Sequence, residues 1–209
     1  MTAKTLTLYH APNTRSTGVR ILLDELDAPH VLHPLNFKKG EQRSPAYLAI
    51  NPMGKVPAVT YGDALVTEQV AVYMFLGDLF PAKGLAPQIH DDLRGPYLRW
   101  IAYYGSCFEP AMTDRALKRE PGRPSMVPYG DFETMLATLV TQLGKGDYIL
   151  GKRFTVADLL WGLSLNWMLK FELVPATPVL RDYAARVAAR PSMARVGALD
   201  AALAASQEG

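Results

Sequence analysis

Leucine and threonine alternate from Thr5 toward His10, the period-two pattern of a strand. Ala11-Pro12-Asn13 breaks it, and Asn13, Thr14 or Ser16 can cap the helix that follows. In that helix Val19, Leu22, Leu23 and Leu26 mark an apolar face ending near Asp27-Ala28-Pro29. His30 to Leu35 predicts a second short strand. Gly40 to Ser44 is a polar loop, and Ser44-Pro45 opens a short helix through Ile50 with proline at its first position. Ala58–Tyr61 and Ala64–Val66 are β-type runs split by Gly62-Asp63, a two-residue hairpin signal. Val56-Pro57, just ahead, must be an edge, a strand start or a turn, because proline has no N–H for a ladder. Thr67 stands where it can cap a helix from Glu68 to about Phe80, with Val72, Phe75, Leu76 and Leu79 on one side. The order is βαβαββα, with antiparallel hairpin strands and an opening that favours a parallel pair.

The pattern changes after a Pro/Gly/Ala stretch from Pro81 to Pro87, and only helical periods follow. Trp100, Tyr103, Tyr104, Cys107, Phe108 and Ala111 keep helical spacing, and Pro110 should bend that helix. Lys118 to Pro128 is a Pro/Gly-containing loop, and a helix is predicted from about Val127 to Leu143, ended by Gly144-Lys145-Gly146. Thr155 and Asp158 have the spacing of a capping box, and Phe154 and Leu159 that of a hydrophobic staple. Val156, Leu159, Leu160, Leu163, Trp167 and Phe171 predict a core helix behind them. Helices from Pro178 to Ala189 and from Pro191 to about Ala205 complete the chain. The fold class is therefore α/β plus all-α, a thioredoxin-like N-terminal domain followed by an all-helical one. The expected limits are 1–80 for the first domain, 81–89 for a linker and 90–209 for the second.

Composition narrows the function classes. The chain has 209 residues, 49% hydrophobic and 20% charged, an ordinary globular mixture. A net charge of +2, with no basic run longer than two, argues against a nucleic-acid surface. The single cysteine, Cys107, leaves no intramolecular disulfide and suits a reducing compartment; it reads as an inert buried thiol. The opening stretch Met1 to Leu8 lacks a signal-peptide core, and no apolar run approaches the roughly eighteen residues that span a bilayer. A cytoplasmic protein without membrane contact is expected. His30 and His33, three apart on a strand, face opposite sides, so no metal site is expected.

The string Tyr47-Leu48-Ala49-Ile50-Asn51-Pro52-Met53-Gly54-Lys55-Val56-Pro57, with Thr67-Glu68-Gln69 after the hairpin, resembles the glutathione-binding segment of glutathione S-transferases. The resemblance covers nearly the whole chain. It implies a cis bond at Val56-Pro57, pairing of the Val56 backbone with the cysteinyl backbone of glutathione, and capture of the γ-glutamyl end at Glu68-Gln69. Gln69 replaces the family's usual serine; the backbone N–H survives the change. Gln42 and Arg43 match positions that reach the glycine carboxylate, with Lys55 the next candidate. The Thr-x-Ala-Asp segment at Thr155 to Asp158 is structural in the family and is assigned no chemistry.

Glutathione transfer needs a thiolate. A thiol of pKa about 8.5 is only a few per cent ionised at pH 7, and lowering it by about two units takes roughly 2.7 kcal/mol. A hydroxyl donor at a helix N-terminus can supply this. The serine-type members place the activator two residues after a proline like Pro12, which here is Thr14. Cysteine-type members place it one further on, where this chain has Arg15. Thr14 is the first choice, Ser16 and Asn13 are rivals, and Tyr9 aligns with the activator of tyrosine-type members. Thr14 serves equally well as a plain helix cap. Tyr103, Tyr104, Phe108 and Met112 are the candidates for an apolar electrophile pocket between the domains. The resemblance further implies a homodimer packed through the third and fourth helices, roughly Val70 to Arg99. Two other readings of function stand beside the transferase. One is an isomerase, dehalogenase or peroxidase on the same fold, and the other is a non-catalytic binding module.

Overall fold

The computed structural model describes residues 4–208. Met1, Thr2 and Ala3, on which the reading of the opening stretch partly rests, lie outside the described residues. The chain divides into two compact units, one of residues 1–83 and 190–209, the other of residues 84–189. The last helix therefore belongs with the first unit, and the expected second domain of 90–209 loses its C-terminal segment.

In the first unit the strands are β1 (Leu6–His10), β2 (Val31–Pro34), β3 (Ala58–Tyr61) and β4 (Ala64–Val66), in the order β2-β1-β3-β4. β1 pairs parallel with β2 and antiparallel with β3, and β3 pairs antiparallel with β4. Gly62 at φ 59° makes the hairpin turn. Leu6, Leu8 and His10 lie on the buried face of β1. The helices are α1 (Arg15–Glu25), α2 (Pro45–Leu48) and α3 (Gln69–Leu79). Ser44 caps α2 by accepting from the Tyr47 N–H, with Pro45 at the first helical position. Thr67 does not cap α3. Glu68 occupies that position in a left-handed conformation, φ 63° and ψ 116°. The C-terminal helix, Pro191–Ser206, packs along α1. Arg190 grips Glu25 at 2.8 and 2.6 Å, and Arg195 reaches Asp24.

In the second unit α4 (Arg94–Tyr103) runs into a π-helical segment, Tyr104–Phe108, and then α5 (Glu109–Ala116). Where a bend is expected at Pro110, the structure has this π segment just ahead of the proline. A proline at the start of α5 cannot donate an N–H to the turn before it, and the wider π turn absorbs the missing bond. α6 (Phe132–Leu143) begins later than expected, capped by Asp131, whose carboxylate accepts from the Thr134 N–H at 2.7 Å. Gly130, at φ 69°, keeps the preceding residues out of the helix. α7 (Val156–Lys170) opens with the predicted capping box, the Asp158 carboxylate accepting from the Thr155 N–H at 2.8 Å. Gly162 lets α8 (Pro178–Ala188) close on α7; a Cβ there would lie 2.5 Å from Val187. Trp167 and Phe171 are not core residues: at 45% and 56% exposure they stand in the last turn of α7 and at its C-cap. With these helices numbered, Pro191–Ser206 is α9. No helix of the described residues is long and apolar enough to cross a membrane.

Candidate active site

Strand register gathers the predicted glutathione residues at one edge of the sheet. Tyr9 of β1 faces Ala58 of β3, His10 faces Pro34 of β2, and Val59 faces Val66 of β4. The C-terminal ends of β1, β2 and β4 and the N-terminal end of β3 therefore coincide. From this edge emerge the turn to Thr14 and Ser16, the loop to Gln42 and Arg43, the approach Lys55-Val56-Pro57, and Glu68-Gln69 at the start of α3.

The turn after β1 is tightly wired. Asn13 is exposed at φ 59°, and Thr14, partly exposed, is the N-cap of α1. The Thr14 Oγ1 accepts from the Ser16 N–H at 3.2 Å, donates to the Ala11 carbonyl at 2.7 Å and lies 2.7 Å from the Ser16 Oγ. Ser16 is fully buried, and its Oγ accepts from the Ala11 N–H at 3.1 Å. No acidic residue stands in the first turn of α1, so the positive end of the helix is uncompensated where a thiolate would sit.

The approach to Val56 is braced from behind. The Lys55 carbonyl accepts from the Tyr47 hydroxyl at 2.6 Å and from the Asn51 amide at 2.8 Å. Burial pushes the Tyr47 phenol up to about 12, so it stays a donor at neutral pH. Val56-Pro57 is cis, and the Val56 backbone takes no part in β3, which begins at Ala58. Gly54, at φ 60°, presses against the Gln42–Arg43 loop: a Cβ there would lie 2.7 Å from the Gln42 carbonyl oxygen. The Arg43 guanidinium donates to the Met53 carbonyl at 3.3 Å, and the Gln42 Oε1 is buried without a protein partner. Lys55 and Glu68 are exposed. Glu68 starts α3, whose first-turn N–H groups, at Val70 and Ala71 for example, have no intrahelical acceptor and can meet a carboxylate.

Tyr9 points away from the turn. Its ring packs 4.9 Å from His33 and 5.6 Å from Tyr47, on the sheet face opposite His10. In the second unit Tyr104, Phe108 and Met112 are buried, and the rings of Tyr104 and Phe108 lie 5.2 and 4.9 Å from Trp161. Those side chains are committed to that unit's core. Tyr103 is partly exposed, its hydroxyl donating to the Met135 carbonyl at 3.0 Å. The Cys107 thiol is half-buried and contacts the Pro128 carbonyl at 3.4 Å.

Two residues escaped the sequence reading. His10 lies on the buried face of β1, with Nδ1 2.8 Å from the Ser16 Oγ and Nε2 3.1 Å from Oδ1 of Asp200. The signal for His10 was its place in the Leu6, Leu8, His10 alternation, since a polar group on a core face needs a partner. Asp200, in an alanine-rich helix, carried no such signal.

A mixed β2-β1-β3-β4 sheet flanked by helices, with a cis-proline ahead of β3 and a separate helical unit, defines the class of a thioredoxin-like domain joined to an all-α domain. The family profiles of the glutathione S-transferase N-terminal and C-terminal domains match residues 4–77 and 104–196. A glutathione transferase homologue from Sulfitobacter, solved with bound glutathione, is 30% identical with a TM-score of 0.73, covering 92% of this chain and 97% of that one. A sphingomonad glutathione S-transferase complexed with glutathione is 26% identical with a TM-score of 0.74, covering 93% and 98%. The glutathione S-transferase GstA of Escherichia coli O157:H7 is 26% identical over 189 residues, 89% of this chain and 94% of that protein. The chain belongs to the glutathione S-transferase family.

Proposed function

We propose that the chain binds glutathione at this sheet edge, favours its thiolate at the N-terminus of α1, and directs it at a small apolar electrophile. The observation that carries the reading is the Thr14 hydroxyl, partly exposed at the N-cap of a helix with no acid in its first turn. Ser16 is fully buried and engaged with His10 and Ala11, which favours Thr14 as the group that touches sulfur. Asn13 is exposed and Tyr9 lies on the other sheet face, so both rank below it. In this reading the Val56 backbone pairs with the cysteinyl unit and Glu68 takes the γ-glutamyl ammonium. The start of α3 at Gln69 takes the neighbouring carboxylate. Gln42, with Arg43 and Lys55, meets the glycine end. Tyr103 is the electrophile-pocket candidate that keeps partial exposure. A cytoplasmic homodimer packed through α3 and α4 completes the proposal.

The test is Thr14→Val, which keeps the shape and removes the donor. The pKa of bound glutathione, followed by thiolate absorbance against pH, should rise by about one to two units, or roughly 1.4–2.7 kcal/mol. An unmoved titration in Thr14→Val with a shift in Ser16→Ala would hand the contact to Ser16. Profiling against aryl halides, peroxides and isomerisable substrates then separates transferase from the other glutathione chemistries.

A further inference from the structure

The turn that holds Thr14 is the outer end of a buried chain of proton-carrying groups. The Thr14 Oγ1 lies 2.7 Å from the Ser16 Oγ, the Ser16 Oγ 2.8 Å from the His10 Nδ1, and the His10 Nε2 3.1 Å from Oδ1 of Asp200. His10 and Ser16 are 0% exposed and Asp200 is 6% exposed, so water does not interrupt the chain. The Asp200 carboxylate also accepts from the Thr17 hydroxyl and from Arg20, each at 2.6 Å. Burial alone would push this carboxyl up; the bonds from His10, Thr17 and Arg20 outweigh it and hold Asp200 below the usual aspartate value. An ionised carboxylate only accepts, so the ring proton at this contact sits on Nε2, and Nδ1 is the ring atom that faces Ser16. Arg20 is the other charged group facing this carboxylate, and it shares the Oδ1 oxygen with His10, at 2.6 Å against 3.1 Å.

We infer that His10 is the acceptor for the glutathione thiol proton, reached through Thr14 and Ser16, and that Asp200 is the positioning residue that holds the resulting imidazolium. This rests on the proposed activation at Thr14. In the step, the S–H bond breaks and the thiol proton passes to the Thr14 oxygen. The Thr14 proton passes to the Ser16 oxygen, and the Ser16 proton passes to the His10 Nδ1. Each hydroxyl gains one proton and loses one, so thiol plus imidazole becomes thiolate plus imidazolium with no other reactant. Afterwards the His10 Nδ1–H, the Ser16 hydroxyl and the Thr14 hydroxyl all donate toward sulfur, and bonds so aligned reinforce one another.

Proton counting tests this on the unaltered protein. Glutathione binding is followed by calorimetry in buffers of different ionisation enthalpy, with thiolate measured by absorbance and the His10 ring by NMR. S-methylglutathione, which has no thiol, is the blank. The expected result is thiolate formation with little proton release to buffer, and a protonated His10 signature with glutathione that the blank does not produce. Asp200→Asn should then lower the thiolate fraction at fixed pH about tenfold, one pKa unit. Ser16→Ala should do the same, while Thr17→Val, which strips a different bond from the same carboxylate, lowers stability alone. Thiolate formed with a full proton released and His10 unchanged would overturn the relay and leave Thr14 activation standing. Equal pKa shifts in Thr17→Val and Asp200→Asn would reduce Asp200 to a structural role and overturn its part. No thiolate in the unaltered protein would remove the proposed activation itself, and the relay with it.

Discussion

Asp158→Ala is expected to destabilise the second unit, not to impair chemistry. Asp158 Oδ1 accepts from the Ile149 N–H at 2.7 Å and the Tyr183 hydroxyl at 2.8 Å, and Oδ2 from the Thr155 N–H and hydroxyl at 2.8 and 3.0 Å. An exposed cap of this kind contributes about 1 kcal/mol. Here all four donors are buried, and each one left unpaired costs about 1–3 kcal/mol. Relief of the buried charge works the other way, since burial pushes the Asp158 carboxyl up. Water entering the vacated space also re-pairs some donors. The net loss should be about 3 kcal/mol, a drop in Tm of roughly 6–12 °C for a protein of this size. The three tryptophans Trp100, Trp161 and Trp167 all lie in this unit, so their fluorescence during urea or thermal unfolding reports it directly. If Asp158→Ala melts like the parent yet loses activity, the structural assignment is wrong.

Glu68→Gln should weaken glutathione binding by about 1.5–3 kcal/mol, the range for a bond to a charged group, and calorimetry showing equal affinities would remove Glu68 from the site. Gly54→Ala should cut glutathione affinity more than stability. A left-handed alanine costs about 1–2 kcal/mol, and its Cβ would force apart the Gln42 and Lys55 segments. Unchanged affinity in that variant would mean the two loops do not act together. Acid should weaken the α1–α9 contact. For Glu25, burial raises the carboxyl but the bonds from Arg190 and Ser192 bring it below its ordinary value, and Asp200 is lowered likewise. Carboxyls lowered in the folded state contribute stability above their unfolded values near 4, and this is lost as pH falls through the folded ones. Hydrogen exchange in α9 should therefore rise steeply below about pH 4, and a flat profile would refute the assignment. Asp158 has the opposite sign: its contribution is fully present below its unfolded value and declines as pH rises through its raised one.

The first unit was legible where local chemistry dictates geometry. Gly62-Asp63 between β-type runs, Ser44-Pro45 at a helix start and Pro57 at a strand start each allow few conformations, and the structure adopts them. Boundaries failed where tertiary context decides. Glu68 is driven to a positive φ that an acidic residue does not choose alone, at a strain of order 1–3 kcal/mol, so Thr67 lost the cap. Helical spacing through Trp100 to Ala111 was real, yet periodicity cannot distinguish an α turn from the π turn found ahead of Pro110. Trp167 and Phe171 fit the apolar period of α7 and are exposed nonetheless, because α7 extends past the side chains that cover its earlier turns. The pairing of His10 with Asp200 spans 190 residues, and no local pattern carries such a contact.

The energetics of the turn leave a definite amount for each contributor. Holding a thiol ionised two units below its ordinary pKa takes roughly 2.7 kcal/mol. A hydroxyl bonded to a charged acceptor supplies about 1.5–3 kcal/mol, and a helix N-terminus about 0.3–1 kcal/mol. Thr14 at the cap of α1 can therefore account for stabilising the thiolate unaided, provided its proton is free to turn from the Ala11 carbonyl to sulfur. That proviso is where the buried groups matter. In the proposed relay Ser16 first donates to His10, and the Ser16 oxygen, 2.7 Å from the Thr14 Oγ1, then competes with sulfur for the Thr14 proton. Protonation of His10 would turn Ser16 to donate outward and remove that competitor, leaving the Ala11 carbonyl as the acceptor that sulfur must displace. In the proposed relay, loss of the thiol proton and release of the Thr14 hydroxyl from Ser16 would be one event, and Asp200 would tie α9 to it through its bond to His10.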